Sequence, residues 1–363
     1  MNIGYVIRPD FRKNIGGDTI QATETARAVE RLGVNVRWVQ GQADLAACSL
    51  VHAFNLWRPQ ESYWAALACR KIGRPLVVSP IYWTDREFES LGAGWFRRSI
   101  TNVGGNDLLS RVKYAAKGLV DGFSTNDVKV WTIGLDEARR RVLSSTAALL
   151  PNAHLELEQI RQDLGNFQIP YIRVVRNGVE PTFSRVSSSR RREDAILCVA
   201  RVEPRKNLEK LASACGQLGV GLVVVGAAGR HHRQYAKRLL ARYGQVITFM
   251  GEVDHAKLPS IYAEYKVHAL ISWFETPGLS SLEAAAAGCN IVVSDRGSVR
   301  EYFGGHAFYC APADVDQIVA SLRSALSVPF DVRLRNLITD AYTWDVVGKA
   351  TVDAYREVLA NDR

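Results

Sequence analysis

At 363 residues, 47% hydrophobic and 23% charged, the chain is too long for one ordinary domain and too apolar to be disordered or fibrous. Lys and Arg number 46 against 37 Asp and Glu, a formal charge of +9 that points to an anionic partner: a phosphate-rich ligand, an acidic lipid surface or nucleic acid. No apolar run approaches the roughly 20 residues that cross a bilayer, the opening MNIGYVIRPDFRKN is too briefly apolar for a signal peptide, and six scattered cysteines without a CxxC pair fit neither a disulfide framework nor a zinc site. A cytoplasmic protein is expected, peripheral to a membrane at most.

Short β-branched runs alternate with helical patterns along the chain. Asn2–Arg8 reads as a strand, followed by the Gly16-Gly17 turn and a helix over Thr19–Leu32. Strands are expected at Val34–Val39, Ser49–Phe54, Pro75–Pro80, Ala147–Pro151 and Ile172–Arg176, with a basic helix at Asp107–Gly118. The polar run SRVSSSRRRE over 184–193 has a linker composition. Beyond it the rhythm restarts with strands at Ala195–Ala200, Val220–Val225, Val246–Met250, Val267–Ser272 and Asn290–Ser294, and helices at Asn207–Leu218, His232–Tyr243, Ala256–Tyr265 and Leu279–Ala287. Two such series predict an α/β protein of two doubly wound parallel domains, 1–183 and 194–342, with 343–363 as a closing helix and a ligand cleft between the domains.

Three segments carry chemistry. In ISWFETPGLSSLEAAAAGCNIVVSD, Glu275 and Glu283 flank a Pro277-Gly278 turn and the start of a helix. The helix N-terminus suits a phosphate, Gly278 permits close backbone approach, Ser280 and Ser281 offer hydroxyls, and the carboxylates suit sugar hydroxyls. Solvated helix-start acids favoured by the dipole are the alternative reading. In ILCVARVEPRKN, Arg201 and Lys206 follow a strand and could neutralise a diphosphate, or belong to a solvated basic loop. In RKNIGGDTIQ, Gly16-Gly17 could present backbone N–H groups to an anion, or form a plain turn; the absence of GxGxxG gives no support to a nicotinamide cofactor.

Together these segments resemble the retaining glycosyltransferases of family 4, whose GT-B fold pairs two Rossmann-like domains. Gly16-Gly17 resembles the family's N-terminal glycine loop, VVRNGVEPTF its Asn-Gly-Val segment, Arg201 and Lys206 its diphosphate pair, Glu275 and Glu283 its E-x7-E motif, and Thr343–Leu359 its closing helix. The resemblance implies a nucleotide-sugar donor, with Glu275 on the sugar hydroxyls and Glu283 on the ribose. Arg201, Lys206 and the backbone of Leu279–Ser280 would hold the diphosphate, and Gly16, Gly17 and Gly278 would line the donor. Glu275, Arg201 and Lys206 would carry catalysis, with no metal and no further cofactor. The acceptor would be a glycan or lipid-linked glycan in bacterial surface-polysaccharide assembly, met on the side of Asp18, Tyr82 and Asn152.

The sequence departs from that family where SPIYWTD carries Tyr82 and Trp83 in place of a histidine, and where Thr276-Pro277 replaces Gly-Phe. His52 suits a core position better than a cleft, and Asp314-Val315-Asp316 suits a helix cap better than a metal site. Arg97, Arg98, Arg111, Lys113 and Lys117 lie among Trp95, Phe96 and Tyr114, a mixture suited to an anionic leaflet or to a solvated helix face. The absence of a nucleic-acid-binding motif makes a nucleic-acid or protein acceptor the weaker reading, and the intact set of Arg201, Lys206, Glu275 and Glu283 argues against a non-catalytic nucleotide-sugar-binding module.

Overall fold

The computed structural model describes every residue except 14, 40, 85, 93–124, 187–190, 277 and 362–363. The expected basic helix at Asp107–Gly118 and the cations at 97–117 lie outside the described residues. The chain divides into two units. One comprises Met1–Thr84, Trp95–Asn177 and Trp344–Arg363; the other comprises Asp85–Gly94 and Gly178–Thr343.

The first unit holds a six-stranded sheet of β1 (Asn2–Val6), β2 (Asn35–Trp38), β3 (Leu50–Phe54), β4 (Leu76–Ser79), β5 (Thr146–Leu149) and β6 (Tyr171–Ile172). All pairings are parallel, in the order β2-β1-β3-β4-β5-β6. Its helices before the midpoint of the chain are α1 (Gly17–Arg31), α2 (Gln42–Ala46), α3 (Gln60–Ile72), α4 (Thr125–Ile133), α5 (Leu135–Ser144) and α6 (His154–Leu164). Strand β3, Leu-Val-His-Ala-Phe, is buried along its whole length, as expected for a parallel strand covered on both faces. Strand β1 stops at Val6, two residues before the expected end, and the chain turns there, the Arg8 carbonyl accepting from Phe11 N at 3.2 Å. Strand β6 is shorter than expected, but Arg173 and Val175 still donate backbone bonds to the carbonyls of Leu149 and Pro151.

The second unit repeats the architecture with β7 (Ala195–Val199), β8 (Gly221–Val225), β9 (Ile247–Gly251), β10 (Val267–Leu270), β11 (Asn290–Ser294) and β12 (Phe308–Cys310). The order is β12-β11-β10-β7-β8-β9, again parallel. Its helices are α7 (Leu208–Leu218), α8 (Arg233–Tyr243), α9 (Leu258–Glu264), α10 (Leu279–Ala286), α11 (Val299–Phe303), α12 (Val315–Ser327) and α13 (Val332–Ala341). The chain runs β7-β8-β9 in one direction and then restarts at β10 on the other side of β7. The β7/β10 junction is therefore the point where strand order reverses, and such sheets bind ligands beyond the strand ends there.

The division between the units falls at Asn177/Gly178, ahead of the expected linker at 184–193. Phe183 explains the shift: it is buried, and its ring meets those of Tyr262 and His255 edge-on at 5.9 and 5.3 Å. Residues 181–185 form a 3-10 turn against the second unit's own core. All six cysteines are buried free thiols. No helix among the described residues is long and apolar enough to cross a membrane.

Helix α14 (Trp344–Asn361) belongs to the first unit, where it packs on α1. The helices approach so closely that a Cβ on Gly348 would lie 2.9 Å from Ala28 Cβ. Beneath them runs a buried chain of polar groups. Tyr5 Oη lies 2.8 Å from Tyr355 Oη, which lies 2.6 Å from His52 Nδ1, while His52 Nε2 lies 2.9 Å from Ser79 Oγ. His52 is fully buried, and burial drives its pKa down to about 3, so the ring is neutral and serves the core. Tyr355→Phe should leave His52 and Tyr5 short of a partner and cost about 1–3 kcal/mol. Urea midpoints measure this, and an unchanged midpoint would show that the hydroxyl contributes nothing.

Candidate active site

The loops leaving β7 and β10 bring the strongest sequence candidates together. After β7 the chain makes a 3-10 turn at Pro204–Lys206 and passes through Asn207 at φ 54, a left-handed geometry that Asn tolerates better than most residues. Asn207 Nδ2 donates to the Pro312 carbonyl at 2.8 Å, and Lys206 is buried by the turn. Trp273 N donates to the Arg205 carbonyl at 3.0 Å, stitching the β10 loop to the β7 loop.

Lys206 Nζ forms a short ion pair with Glu275 Oε1. Arg205, which no motif marks in the sequence, also reaches that oxygen, at 3.4 Å, and holds Glu203 Oε1 at 2.8 Å. Burial opposes charge on Glu275, but Lys206 and Arg205 prevail and hold its carboxyl below the usual range. Lys206 itself is pushed down by burial and by neighbouring Arg205, against the pull of Glu275 and Glu203. Burial likewise opposes charge on Glu203, yet Arg205, Arg201 and Lys206 bring it to about 2. Arg201 is half exposed and lies 3.4 Å from Glu203 Oε1.

Gly278, at φ 68, caps α10, which starts at Leu279 with Ser280 half-buried in its first turn. Glu283 lies one turn into the helix and is buried. Its carboxylate meets His255 Nε2 at 3.0 Å and accepts from Tyr262 Oη at 3.0 Å. The two glutamates thus have separate partners: Glu275 has cations, Glu283 a phenol and an imidazole. His255 and Tyr262 carry no motif that marks them in the sequence.

A second loop sets the backbone of Glu275. Gly297 sits at φ 76, and a Cβ built on it would overlap the Glu275 carbonyl oxygen and lie 2.8 and 2.9 Å from the carbonyl carbon and the nitrogen. Ser298 N donates to the same carbonyl at 3.1 Å. The preceding residue, Arg296, makes a two-pronged ion pair with Glu87, at 2.5 and 2.8 Å. Glu87 leads into a wide helical turn, Phe88–Gly92, in which the Phe88 ring lies 6.3 Å from that of Trp273.

The remaining candidates lie in the first unit. Gly16 precedes α1 with extended backbone, and Gly17 opens the helix. A side chain at Gly16 would meet Asp18 Oδ1 at 2.8 Å. The Asp18 carboxylate accepts from Arg8 Nε at 2.9 Å and from Asn55 Nδ2 at 3.5 Å; despite the cost of burial, Arg8 holds it below the usual range. Tyr82 is buried, donating through Oη to Asp163 at 3.0 Å, with Arg139 over its ring. Asn152 is fully buried in a reciprocal amide pair with Gln21, at 2.8 and 3.2 Å. Tyr82 and Asn152 thus have polar groups satisfied inside the first unit. Asp314 caps α12, accepting from Gln317 N at 3.1 Å. Among the described residues no group of three or more His, Cys, Asp or Glu side chains could hold a metal ion.

Residues 179–344 match the family described as Glycosyl transferases group 1. The glycogen synthase of Mycobacterium tuberculosis is 28% identical over 206 residues, covering 53% of this chain and 50% of that one. The O-antigen chain mannosyltransferase B of Escherichia coli is 27% identical over 175 residues, covering 44% and 45%. The chain spans about half the length of the curated relatives it matches. Among solved structures, sucrose-phosphate synthase from Thermosynechococcus elongatus superposes with a TM-score of 0.73 at 15% identity, covering 99% of both chains. HepE of Anabaena, solved in complex with UDP-glucose, superposes with a TM-score of 0.71 at 14% identity, covering 98% of this chain and all of the other. The chain therefore has the GT-B fold, and its residues 179–344 form a glycosyltransferase group 1 domain.

Proposed function

We propose that the protein is a retaining glycosyltransferase of family 4 that moves a hexose from a nucleotide-sugar donor to a glycan or lipid-linked glycan, in surface-polysaccharide assembly. The observation that carries the reading is the Lys206–Glu275 pair at the β7/β10 reversal, beside the N-terminus of α10. Lys206, exposed Arg201 and the free N–H groups of Leu279–Ser280 suit the two phosphates. Glu275, kept ionised, is an acceptor-only group suited to sugar hydroxyls, and Glu283 suits a ribose. Positioning and stabilisation of the departing diphosphate then supply most of the rate, and the leaving phosphate takes the acceptor's proton. The HepE complex with UDP-glucose and the kinship with glycogen synthase support a nucleoside-diphosphate hexose as donor.

A thermal-shift panel of UDP-glucose, UDP-galactose, ADP-glucose and GDP-mannose tests this. A true donor at a hundredfold excess over its Kd adds about 2.7 kcal/mol of stability and should raise Tm by several degrees. No shift with any nucleotide sugar or nucleoside diphosphate would sink the reading.

A further inference from the structure

The site holds one more cation than these roles use. The Arg205 guanidinium donates to the Phe274 carbonyl at 3.1 Å, to Glu203 Oε1 at 2.8 Å and to Glu275 Oε1 at 3.4 Å. It also lies over the Phe274 ring, 5.0 Å from its centre. Its planar fork is thus fixed from several sides, while Lys206 has a flexible stem and makes its side-chain bond to Glu275.

We propose that Arg205 is a positioning residue that keeps Glu275 in place and ionised when Lys206 leaves it for the donor's diphosphate. The inference rests on the assignment of Lys206 to that diphosphate. One ammonium cannot neutralise two partners at full strength. If Lys206 turned away and nothing replaced it, burial would push the pKa of this carboxyl up toward its neutral form. A protonated Glu275 would gain a donor and lose acceptor capacity toward sugar hydroxyls. Arg205 prevents this because Glu203 and the Phe274 carbonyl hold its fork against Glu275 independently of Lys206. Among the described residues, the Ser272 hydroxyl and the Cys198 thiol, pushed up to about 12 mainly by burial, also act on Glu275, and neither can substitute for a cation.

The test uses the full chain labelled with carbon-13 at glutamate carboxyls, with the Glu275 signal identified by its loss in Glu275→Gln. In Lys206→Met, which mimics a lysine turned away, Glu275 should still titrate below the ordinary carboxylate range. In Lys206→Met/Arg205→Gln its titration should rise by about one pH unit or more, and Arg205→Lys in place of Arg205→Gln should restore part of the shift. A double variant that titrates with the Lys206→Met single variant overturns the proposal. Should the double variant not fold, the same comparison is made between wild type and Arg205→Gln saturated with UDP, and equal titration overturns the proposal there too. Calorimetry with UDP separates the roles: Arg205→Lys should bind within about twofold of wild type, while Lys206→Ala should lose about tenfold. Equal losses would make Arg205 a diphosphate ligand and end its positioning role. No loss in Lys206→Ala would remove the lysine assignment on which both readings stand.

Discussion

Glu275→Gln should lower kcat/KM for sugar transfer by about a hundredfold or more while leaving UDP affinity unreduced. Glutamine keeps the shape of the side chain but removes the charge that Lys206 and Arg205 compensate. One acceptor oxygen survives, yet it no longer matches two cations and a set of sugar hydroxyls. Lys206 is released, so the diphosphate has an undivided partner and nucleotide binding does not suffer. Stability should fall, since removing one partner of a buried pair costs roughly 3–5 kcal/mol at the upper end; Glu203 limits the loss by retaining Arg205 at 2.8 Å. Product formation with the donor that gives the largest thermal shift, alongside circular dichroism, measures this. A folded variant with a tenth or more of wild-type turnover would remove Glu275 from the chemistry.

Gly297→Ala should damage the site almost as severely, although the residue carries no functional group. The added methyl would overlap the Glu275 carbonyl oxygen, and the backbone at φ 76 already disfavours any side chain. Something must move, and the nearest atoms are the backbone of Glu275. The control is Gly33→Ala, at φ 81 with nothing within 4 Å of the new Cβ. It should cost only about 1 kcal/mol. Gly297→Ala should lower Tm further and abolish the donor-induced shift. Equal behaviour of the two variants would show that the Gly297 turn yields freely and does not position Glu275.

Much of the fold is legible in the residues because buried parallel strands read as continuous apolar runs, and ILCVA, GLVVV and NIVVS are three of them. Glu275 and Glu283 are legible because a glycine and a helix start separate them at a distinctive spacing. Arg205 is not. A basic residue between Pro204 and Lys206 looks solvated, and its distant partners, the Phe274 carbonyl and Glu275, lie 69 and 70 positions away. Gly297 is hidden for the same reason, since its steric demand comes from Glu275. The partners of Tyr82 and Asn152 are hidden likewise: Asp163 and Gln21 meet them in the interior, 81 and 131 positions away. Local pattern reports what a segment becomes; it does not report which distant polar group meets it.

The return of α14 to the first unit has a consequence for how the molecule is made. His52 and Tyr5 meet their shared partner 303 and 350 positions downstream. At about 5–20 residues per second, a ribosome takes roughly 15–60 s to get from His52 to Tyr355. During that interval Ala28 of α1 and two buried polar side chains lack the partners that α14 brings, while Gly178–Thr343, which carries all six strands of the second sheet, emerges. The first unit is therefore begun before that stretch and gains α14 only after it, and α14 acts as its keystone.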